Sequence, residues 1–438
     1  MNYNRPTVGS LQSWADAVND TSYTWDNFLP YFEGSINYGN PNMSIRAPNS
    51  SVPFIDPANQ SGNPLEVSFP KFASPLASWA QLTFRELGAA DVHDLISGEL
   101  IGSQYSPLTL KPKDQSRSSS QTSFLSAAFE ASGRKKTNLK IYTQTLGQKI
   151  LFDHDKIAYG VLVQSGPAAA PPYLLTASSE VIVSAGAFQS PQLLMVSGLG
   201  PAGTLQKYNI PVVADRSGVG QNMWDHVVLS VGQQVSVETY GRLMNRTATA
   251  EAELDYAMNQ AGILTNDQSD YLGWEKLPAA SRLNFSNSTS NDLSAFPADW
   301  PEVEYEISSA PFGTPPFPTP ENPIDVGYLQ PVLLTPLSRG NVSISSASMV
   351  DPPLVSPDWL THPTDQEVAI ATIKRGREFS TPPLLRLSSL AKSFYRARVC
   401  LLAQQTRRYC HICKRTLGST GMLVVRARWA GAMILWQS

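Results

Sequence analysis

The sequence predicts a mixed α/β (α+β) protein with more than one domain. Its 438 residues exceed the roughly 250–300 residues that one hydrophobic core usually supports. Residues 181–200 read as an apolar strand, a glycine turn and a short apolar helix, which is half of a nucleotide-binding α/β unit. Residues 227–330 lose this alternation, and proline-rich stretches there separate short strands. This second region predicts an antiparallel sheet in a separate domain.

Within 181–200, several residues are typical of element boundaries. The β-branched run 181–183 predicts a strand buried on both faces. Ser190 and Pro191 are types preferred at the N-cap and at the first helical position, so we predict that the helix begins there. Gly198 then ends it.

Other periodic segments predict the elements around this unit. The predicted helices are 72–87, 122–131 and 248–259, and the predicted strands are 65–69, 138–143, 161–163, 173–175, 210–215 and 303–307. The strands 161–163 and 173–175 are expected to form a hairpin.

Two blocks carry a family resemblance. Residues 186–200 read Gly-Ala-Phe-Gln-Ser-Pro-Gln-Leu-Leu-Met-Val-Ser-Gly-Leu-Gly, and residues 218–226 read Gly-Val-Gly-Gln-Asn-Met-Trp-Asp-His. This pattern resembles the second signature of the glucose-methanol-choline (GMC) oxidoreductases, which are FAD enzymes that oxidise alcohols. The second block and the run Trp-Asp-Asn-Phe-Leu-Pro-Tyr-Phe at 25–32 are similar to a fungal secondary-metabolite branch of that family.

The resemblance implies an FAD-binding three-layer domain and an antiparallel-sheet substrate domain. It assigns six segments: 1–64, a remnant of the FAD domain and lid; 65–105, substrate domain; 106–226, FAD-binding domain; 227–335, substrate domain; 336–385, the start of the C-terminal module; and 386–438, a divergent basic tail. The match to the C-terminal module implies a helix at 367–379.

In the family, the pyrophosphate-binding Gly-x-Gly-x-x-Gly turn lies N-terminal to the position that corresponds to residue 1 of this sequence. We therefore expect the FAD domain to lack its first βαβ unit and FAD binding to be weakened or lost. Residues 198–203 also read Gly-Leu-Gly-Pro-Ala-Gly, with Asp215 downstream. Because such a motif must follow a strand and open a long helix, and this one follows a helix, we reject it as a pyrophosphate site.

Six flavin contacts follow from the resemblance. Residues 2 and 3 match the end of a loop that passes over the flavin, and Ile141 matches a position whose backbone approaches the adenine. The implied cofactor-binding residues are Asn2, Tyr3, Ile141, Ser184, Ala185 and Gly186.

No catalytic residue is identifiable. Flavin-dependent alcohol oxidation needs a base, and the family supplies a histidine before a Gly-Thr-x-x-Met-Gly run. His362 lies too early in the chain, and His411 is not followed by that run. His226, a lone histidine, is expected to be structural.

The last 60 residues differ in composition from the rest. Residues 379–438 contain eight Arg, two Lys and no acidic residue, although the whole chain has a net charge of −3. We expect the tail after about residue 385 to be read from a shifted frame or a retained intron. Cys400, Cys410 and Cys413 all lie in it, and one crowded pair does not make the two spaced pairs of a structural zinc site, so no metal is expected.

Eight Asn-x-Ser/Thr sequons favour a secretory-pathway or extracellular location. They are Asn19, Asn42, Asn49, Asn59, Asn245, Asn284, Asn287 and Asn341. The chain begins without a signal peptide, so a cytoplasmic location stays open, and no apolar run reaches membrane-spanning length.

The expected reaction is oxidation of CH–OH groups in a small alcohol or polyketide-type metabolite. Two alternatives stay open: a non-redox cyclase of the same fold, and a catalytically inactive truncated paralogue. We expect a small-molecule substrate and neither a nucleic-acid nor a membrane partner, while the oligomeric state is not indicated.

Overall fold

The computed structural model describes residues 2–56, 60, 62–131, 139–166, 170–310 and 318–379. These residues form two compact units. Unit 1 takes the described residues of 1–136 and 226–335 and those from 362 onward. Unit 2 takes the described residues of 137–225 and 336–361. The predicted segment 386–438 lies outside the described residues.

The helices of the described part are α1 (Val8–Val18), α2 (Trp25–Glu33), α3 (Pro75–Glu86), α4 (Ser126–Ala131), α5 (Gly186–Val196), α6 (Ala202–Lys207), α7 (Arg246–Asn259), α8 (Asn287–Ser294) and α9 (Pro363–Phe379). The strands are β1 (Ile36–Tyr38), β2 (Leu65–Val67), β3 (Gly102–Tyr105), β4 (Thr145–Phe152), β5 (Ala158–Ser165), β6 (Tyr173–Thr176), β7 (Leu199–Gly200), β8 (Ala214–Asp215), β9 (Val227–Val228), β10 (Val231–Gln234), β11 (Tyr271–Glu275), β12 (Val303–Ser308), β13 (Val326–Leu333), β14 (Asn341–Ser343) and β15 (Leu354–Ser356).

Unit 1 is built around a six-stranded antiparallel sheet. Its order is β10-β13-β12-β11-β3, and β9 pairs with β13. The antiparallel sheet predicted for the second half of the chain is thereby confirmed, and the predicted strand 303–307 is β12. The predicted helices 72–87, 248–259 and 367–379 are α3, α7 and α9, with shifted ends.

Helices α3 and α9 pack on one face of this sheet through aromatic side chains. The ring centroids of Phe84 and Phe379 lie 4.6 Å apart, and those of Tyr305 and Phe379 lie 4.8 Å apart. A Cβ at Gly273 of β11 would lie 2.3 Å from the Phe84 ring. Glycine is therefore required there for α3 to approach the sheet.

Unit 2 contains the three-stranded antiparallel sheet β4-β5-β6. Val161 pairs with Leu175 and Val163 with Tyr173, which confirms the predicted hairpin. Helix α5 carries the core of this unit, a cluster of Ile150, Leu193, Leu194, Met195, Val196, Leu205, Ile210, Val219, Ile344 and Met349.

The prediction of a buried strand at 181–183 is wrong. Val181 and Val183 pack against the unit 2 core, but the side chain of Ile182 between them is 76% exposed. Residues 139–143, the described part of the predicted strand 138–143, also belong to no strand, and within the predicted strand 210–215 only β8 forms one. A β-branched sequence favours extended backbone, but a strand also needs a hydrogen-bonded neighbour, and none of the described residues provides one for 181–183.

The predicted start of the following helix is also wrong. Helix α5 begins at Gly186, so Pro191 lies inside it. The Ser190 hydroxyl still serves the helix start, because it accepts a hydrogen bond from the backbone N–H of Ala185 at 3.0 Å. A side chain one turn into the helix thus satisfies a donor ahead of its first residue.

Candidate functional site

The first two predicted flavin contacts lie in unit 1 and are firmly held. The backbone N–H of Tyr3 donates to the carbonyl of Pro107 at 2.7 Å. The side-chain amide of Asn2 donates to the carbonyl of Ser269 at 3.1 Å. Both residues are half-buried. The structure therefore fixes this segment beside the strands of unit 1.

The other predicted contacts lie in unit 2. Ser184, Ala185 and Gly186 are exposed at the N-terminal end of α5, and Ile141 is 46% exposed. Gly186 has a φ of +84°, and no atom lies within 4 Å of where its Cβ would be. A ligand can therefore approach this backbone closely. An accessible helix N-terminus with open space beside a glycine fits the phosphate or ribose of a dinucleotide.

The rejected glycine motif at 198–203 has a structural role. Leu199 and Gly200 form β7, which pairs in parallel with β8. The carboxylate of Asp215 accepts a hydrogen bond from the backbone N–H of Ala202 at the start of α6, at 3.0 Å. This acidic side chain occupies the donor that a phosphate would use, and α6 is only six residues long.

Residues 218–225 and 336–344 fold together within unit 2. Met223 and Gly340 exchange two backbone hydrogen bonds of 2.8 Å, and Val342 N–H donates to the carbonyl of Gly220 at 2.6 Å. The guanidinium of Arg339 lies 4.1 Å from the ring centroid of Trp224. The sequence did not predict this pairing, because the two blocks lie far apart in the chain. A Gly in each block, Gly220 and Gly340, was the only local signal.

The histidines of the described part do not form a recognisable catalytic pair. The ring Nδ1 of His362 accepts a hydrogen bond from the backbone N–H of Thr364 at 3.3 Å, so this side chain caps α9. His93 and His154 are exposed beside neighbouring aspartates. His226 is half-buried in unit 1. His411 lies outside the described residues, and no base is assigned.

One group of potential metal ligands occurs in the described chain, in the turn between β4 and β5. It consists of Asp153, His154 and Asp155, all exposed. The carboxylate of Asp153 already accepts hydrogen bonds from the backbone N–H groups of Asp155 and Ile157, each at 2.9 Å. The hydrogen bonds of Asp153 stabilise the turn, and this role explains why these polar residues lie together. The three cysteines considered for zinc lie outside the described residues.

A buried charge pair in unit 1 was not anticipated from the sequence. The Arg46 guanidinium lies 4.0 Å from the carboxylate of Asp270, and both side chains are buried. Burial raises the pKa of Asp270 to about 6, against the opposing effects of Arg46, the Ser74 N–H and Asn266. Burial also lowers the pKa of Arg46. These residues stand singly in loops, so no sequence pattern marked them.

Comparison with known proteins agrees with the architecture. Residues 1–228 match the model of the GMC oxidoreductase N-terminal domain. The chain is 44% identical over 386 residues to a patulin synthase of Aspergillus clavatus, covering 86% of this chain and 60% of that protein. It is 37% identical over 385 residues to the versicolorin B synthase stcN of Emericella nidulans, covering 86% and 58%. The chain thus spans about three fifths of the length of these relatives.

A solved FAD-dependent oxidoreductase from Chaetomium thermophilum shares the fold, with a TM-score of 0.79 and 21% identity over 94% of this chain and 72% of that one. Among the helices that the structure describes, none combines the length and apolarity needed to cross a bilayer. The family match extends over more than half of the sequence and includes the block 218–226. The chain belongs to the glucose-methanol-choline oxidoreductase family, whose cofactor is FAD.

Proposed function

We propose that this chain is an FAD-dependent oxidoreductase acting on a CH–OH group of a small alcohol or polyketide-type metabolite in fungal secondary metabolism. The observation that carries the proposal is the family match over residues 1–228, together with similarity to fungal enzymes such as the patulin synthases. The accessible backbone at Ser184–Gly186 supports it, because a nucleotide can approach there.

Bound FAD would supply the hydride acceptor for the alcohol carbon. Ser184, Ala185 and Gly186 would hold the adenosine part, and the backbone of Ile141 would contact the adenine. Asn2 and Tyr3, anchored to Ser269 and Pro107, would position the segment that passes over the flavin. The proton of the substrate hydroxyl needs a base that we leave unassigned.

Purification of the chain and measurement of its visible flavin spectrum test the proposal most directly. Stoichiometric flavin that is bleached by an alcohol substrate under anaerobic conditions is the expected result. Gly186→Val should lower the flavin content, because its side chain would enter the open space beside α5, while Gly166→Val is the control, since Gly166 has a similar positive φ of +76° and equally open surroundings. Melting temperatures of both variants separate loss of flavin from loss of fold. The same spectrum tests the weakened FAD binding expected from the sequence, because substoichiometric flavin would support that expectation and stoichiometric flavin would contradict it.

The two alternatives predict different outcomes. A colourless, folded protein that binds an aromatic metabolite and cyclises it without net oxidation would favour the non-redox cyclase. Similarity to a versicolorin B synthase supports the cyclase alternative. An insoluble chain would favour the inactive paralogue.

We also propose that the protein passes through the secretory pathway. Six sequon asparagines are exposed, namely Asn19, Asn42, Asn49, Asn245, Asn284 and Asn287. Asn341 is half-buried in β14, and Asn59 lies outside the described residues. A mass decrease on endoglycosidase treatment of protein from a fungal host would support this location, and an unglycosylated product would contradict it.

A further inference from the structure

Four polar side chains from separate parts of unit 1 meet in its interior. Arg46 comes from the connection between β1 and β2, Ser74 immediately precedes α3, Tyr105 ends β3 and Asp270 immediately precedes β11. None of these residues is more than 5% exposed. We call this group the Arg46–Asp270 chamber.

Part of the hydrogen-bonding capacity of the chamber is satisfied by protein. Arg46 donates through Nε to the carbonyl of Ser50 at 3.2 Å and through Nη1 to the carbonyl of Pro70 at 2.6 Å. The Oδ2 atom of Asp270 accepts from the backbone N–H of Ser74 at 3.0 Å. These bonds fix the orientation of both charged groups.

The remaining polar atoms have no hydrogen-bond partner among the described residues. They are Arg46 Nη2, Asp270 Oδ1, Tyr105 Oη and Ser74 Oγ. A buried donor or acceptor without a partner is strongly destabilising, so four in one place require a common explanation. The nearby Oδ1 of Asn2 and Oγ of Ser269 are in the same condition.

The geometry points to ordered water held in the Arg46–Asp270 chamber, bridging the guanidinium to the carboxylate. Arg46 Nη2 and Asp270 Oδ2 are 4.0 Å apart, which is too far for a direct hydrogen bond but within the span of one water molecule bonded to both. The Arg46 guanidinium carbon lies 5.0 Å from the Tyr105 ring centroid, so the tyrosine borders the same space.

The mixture of donors and acceptors selects water over an ion. A small anion would suit Arg46, Tyr105 and Ser74 but would face the carboxylate of Asp270. A cation would suit Asp270 but would face the guanidinium. Water donates and accepts, and it satisfies both sides without adding charge.

The sign of a stability change tests the proposal. If the Tyr105 hydroxyl is dry, Tyr105→Phe removes an unsatisfied group and raises the melting temperature; if it binds water, the same change lowers it by roughly 1–2 °C. Ser74→Ala should behave in the same way. Tyr271→Phe is the matched control, because the Tyr271 hydroxyl lies 2.9 Å from the Ser103 hydroxyl and has a direct partner.

A high-resolution crystal structure of the full chain, with a bromide soak, gives the independent measurement. We expect electron density about 2.6–3.2 Å from both Arg46 Nη2 and a carboxylate oxygen of Asp270, without an anomalous bromide signal. An anomalous peak beside Arg46 would replace water by an anion. A direct Arg46–Asp270 contact with no density between the groups would overturn the proposal, as would a stabilising Tyr105→Phe substitution.

Discussion

Arg375 on α9 binds the carboxylate of Glu275 at the end of β11 through two hydrogen bonds. Its Nε lies 3.1 Å from Oε1 and its Nη2 lies 3.2 Å from Oε2. The same Oε1 accepts the Tyr305 hydroxyl at 2.6 Å. Because the Arg375 side chain is only 9% exposed, this network joins the helix to the sheet in a place that water reaches poorly.

Replacing Arg375 in this network should strongly destabilise the folded state. Arg375→Met is expected to lower the free energy of unfolding by about 3–5 kcal/mol, because it leaves the Glu275 carboxylate without its cation. Arg85→Met is the control, since Arg85 pairs with Asp91 at the surface and is 48% exposed, and it should cost less than about 1 kcal/mol. Urea unfolding measures both. Equal losses of unfolding free energy in the two variants would contradict the expectation that the buried ion pair contributes more than the surface pair.

The buried carboxyl of Asp270 should make stability depend on pH. Burial raises its pKa to about 6 from the usual value of 3.8, so between these values the folded chain holds a proton that the unfolded chain has released. Stability should therefore fall as pH rises from about 4 to about 6, by about 3 kcal/mol, and the loss should be complete above that range.

Asp270→Asn should remove this slope. The free energy of unfolding measured from pH 4 to 7 checks it, with the exposed Asp16→Asn variant retaining the slope. Unchanged pH dependence in Asp270→Asn would assign the effect to other groups.

Two glycines of the 198–203 motif should respond oppositely to alanine. Gly198 has a φ of +96°, and a Cβ there would lie 2.6 Å from the carbonyl oxygen of Pro211. Gly198→Ala should therefore cost at least about 1–3 kcal/mol. Gly203→Ala, inside α6 with open space around it, should be neutral or stabilising by up to about 1 kcal/mol. Thermal unfolding distinguishes them, and similar melting temperatures would show that the turn is not strained by a side chain.

His362 should be replaceable by another capping residue. His362→Asn preserves an acceptor at the start of α9, so stability should be maintained, whereas His362→Ala should lose about 1 kcal/mol. In flavin-loaded protein, the rate of flavin reduction by substrate should stay the same in the Asn variant. A fall of about 100-fold or more with the fold intact would instead identify His362 as the base.

Sequence patterns determined the family, the antiparallel sheet and several elements. The β5–β6 hairpin, β12 and α3 follow from local periodicity and from turn or cap residues a few positions away, and α9 follows from the family resemblance. The motif 186–200 together with 218–226 identified the GMC family, because a long pattern of specific residues can be recognised without knowledge of the three-dimensional structure.

Only the tertiary structure decided the rest. Residues 181–183 have strand propensity, yet whether they form a strand depends on a partner far away in the chain. The capping of α6 by Asp215 and the meeting of Arg46 with Asp270 join residues 13 and 224 positions apart. Such contacts depend on loop closure and packing rather than on the local preference of each residue. For this reason the sequence identified the family, while only the structure located the buried polar groups of this chain.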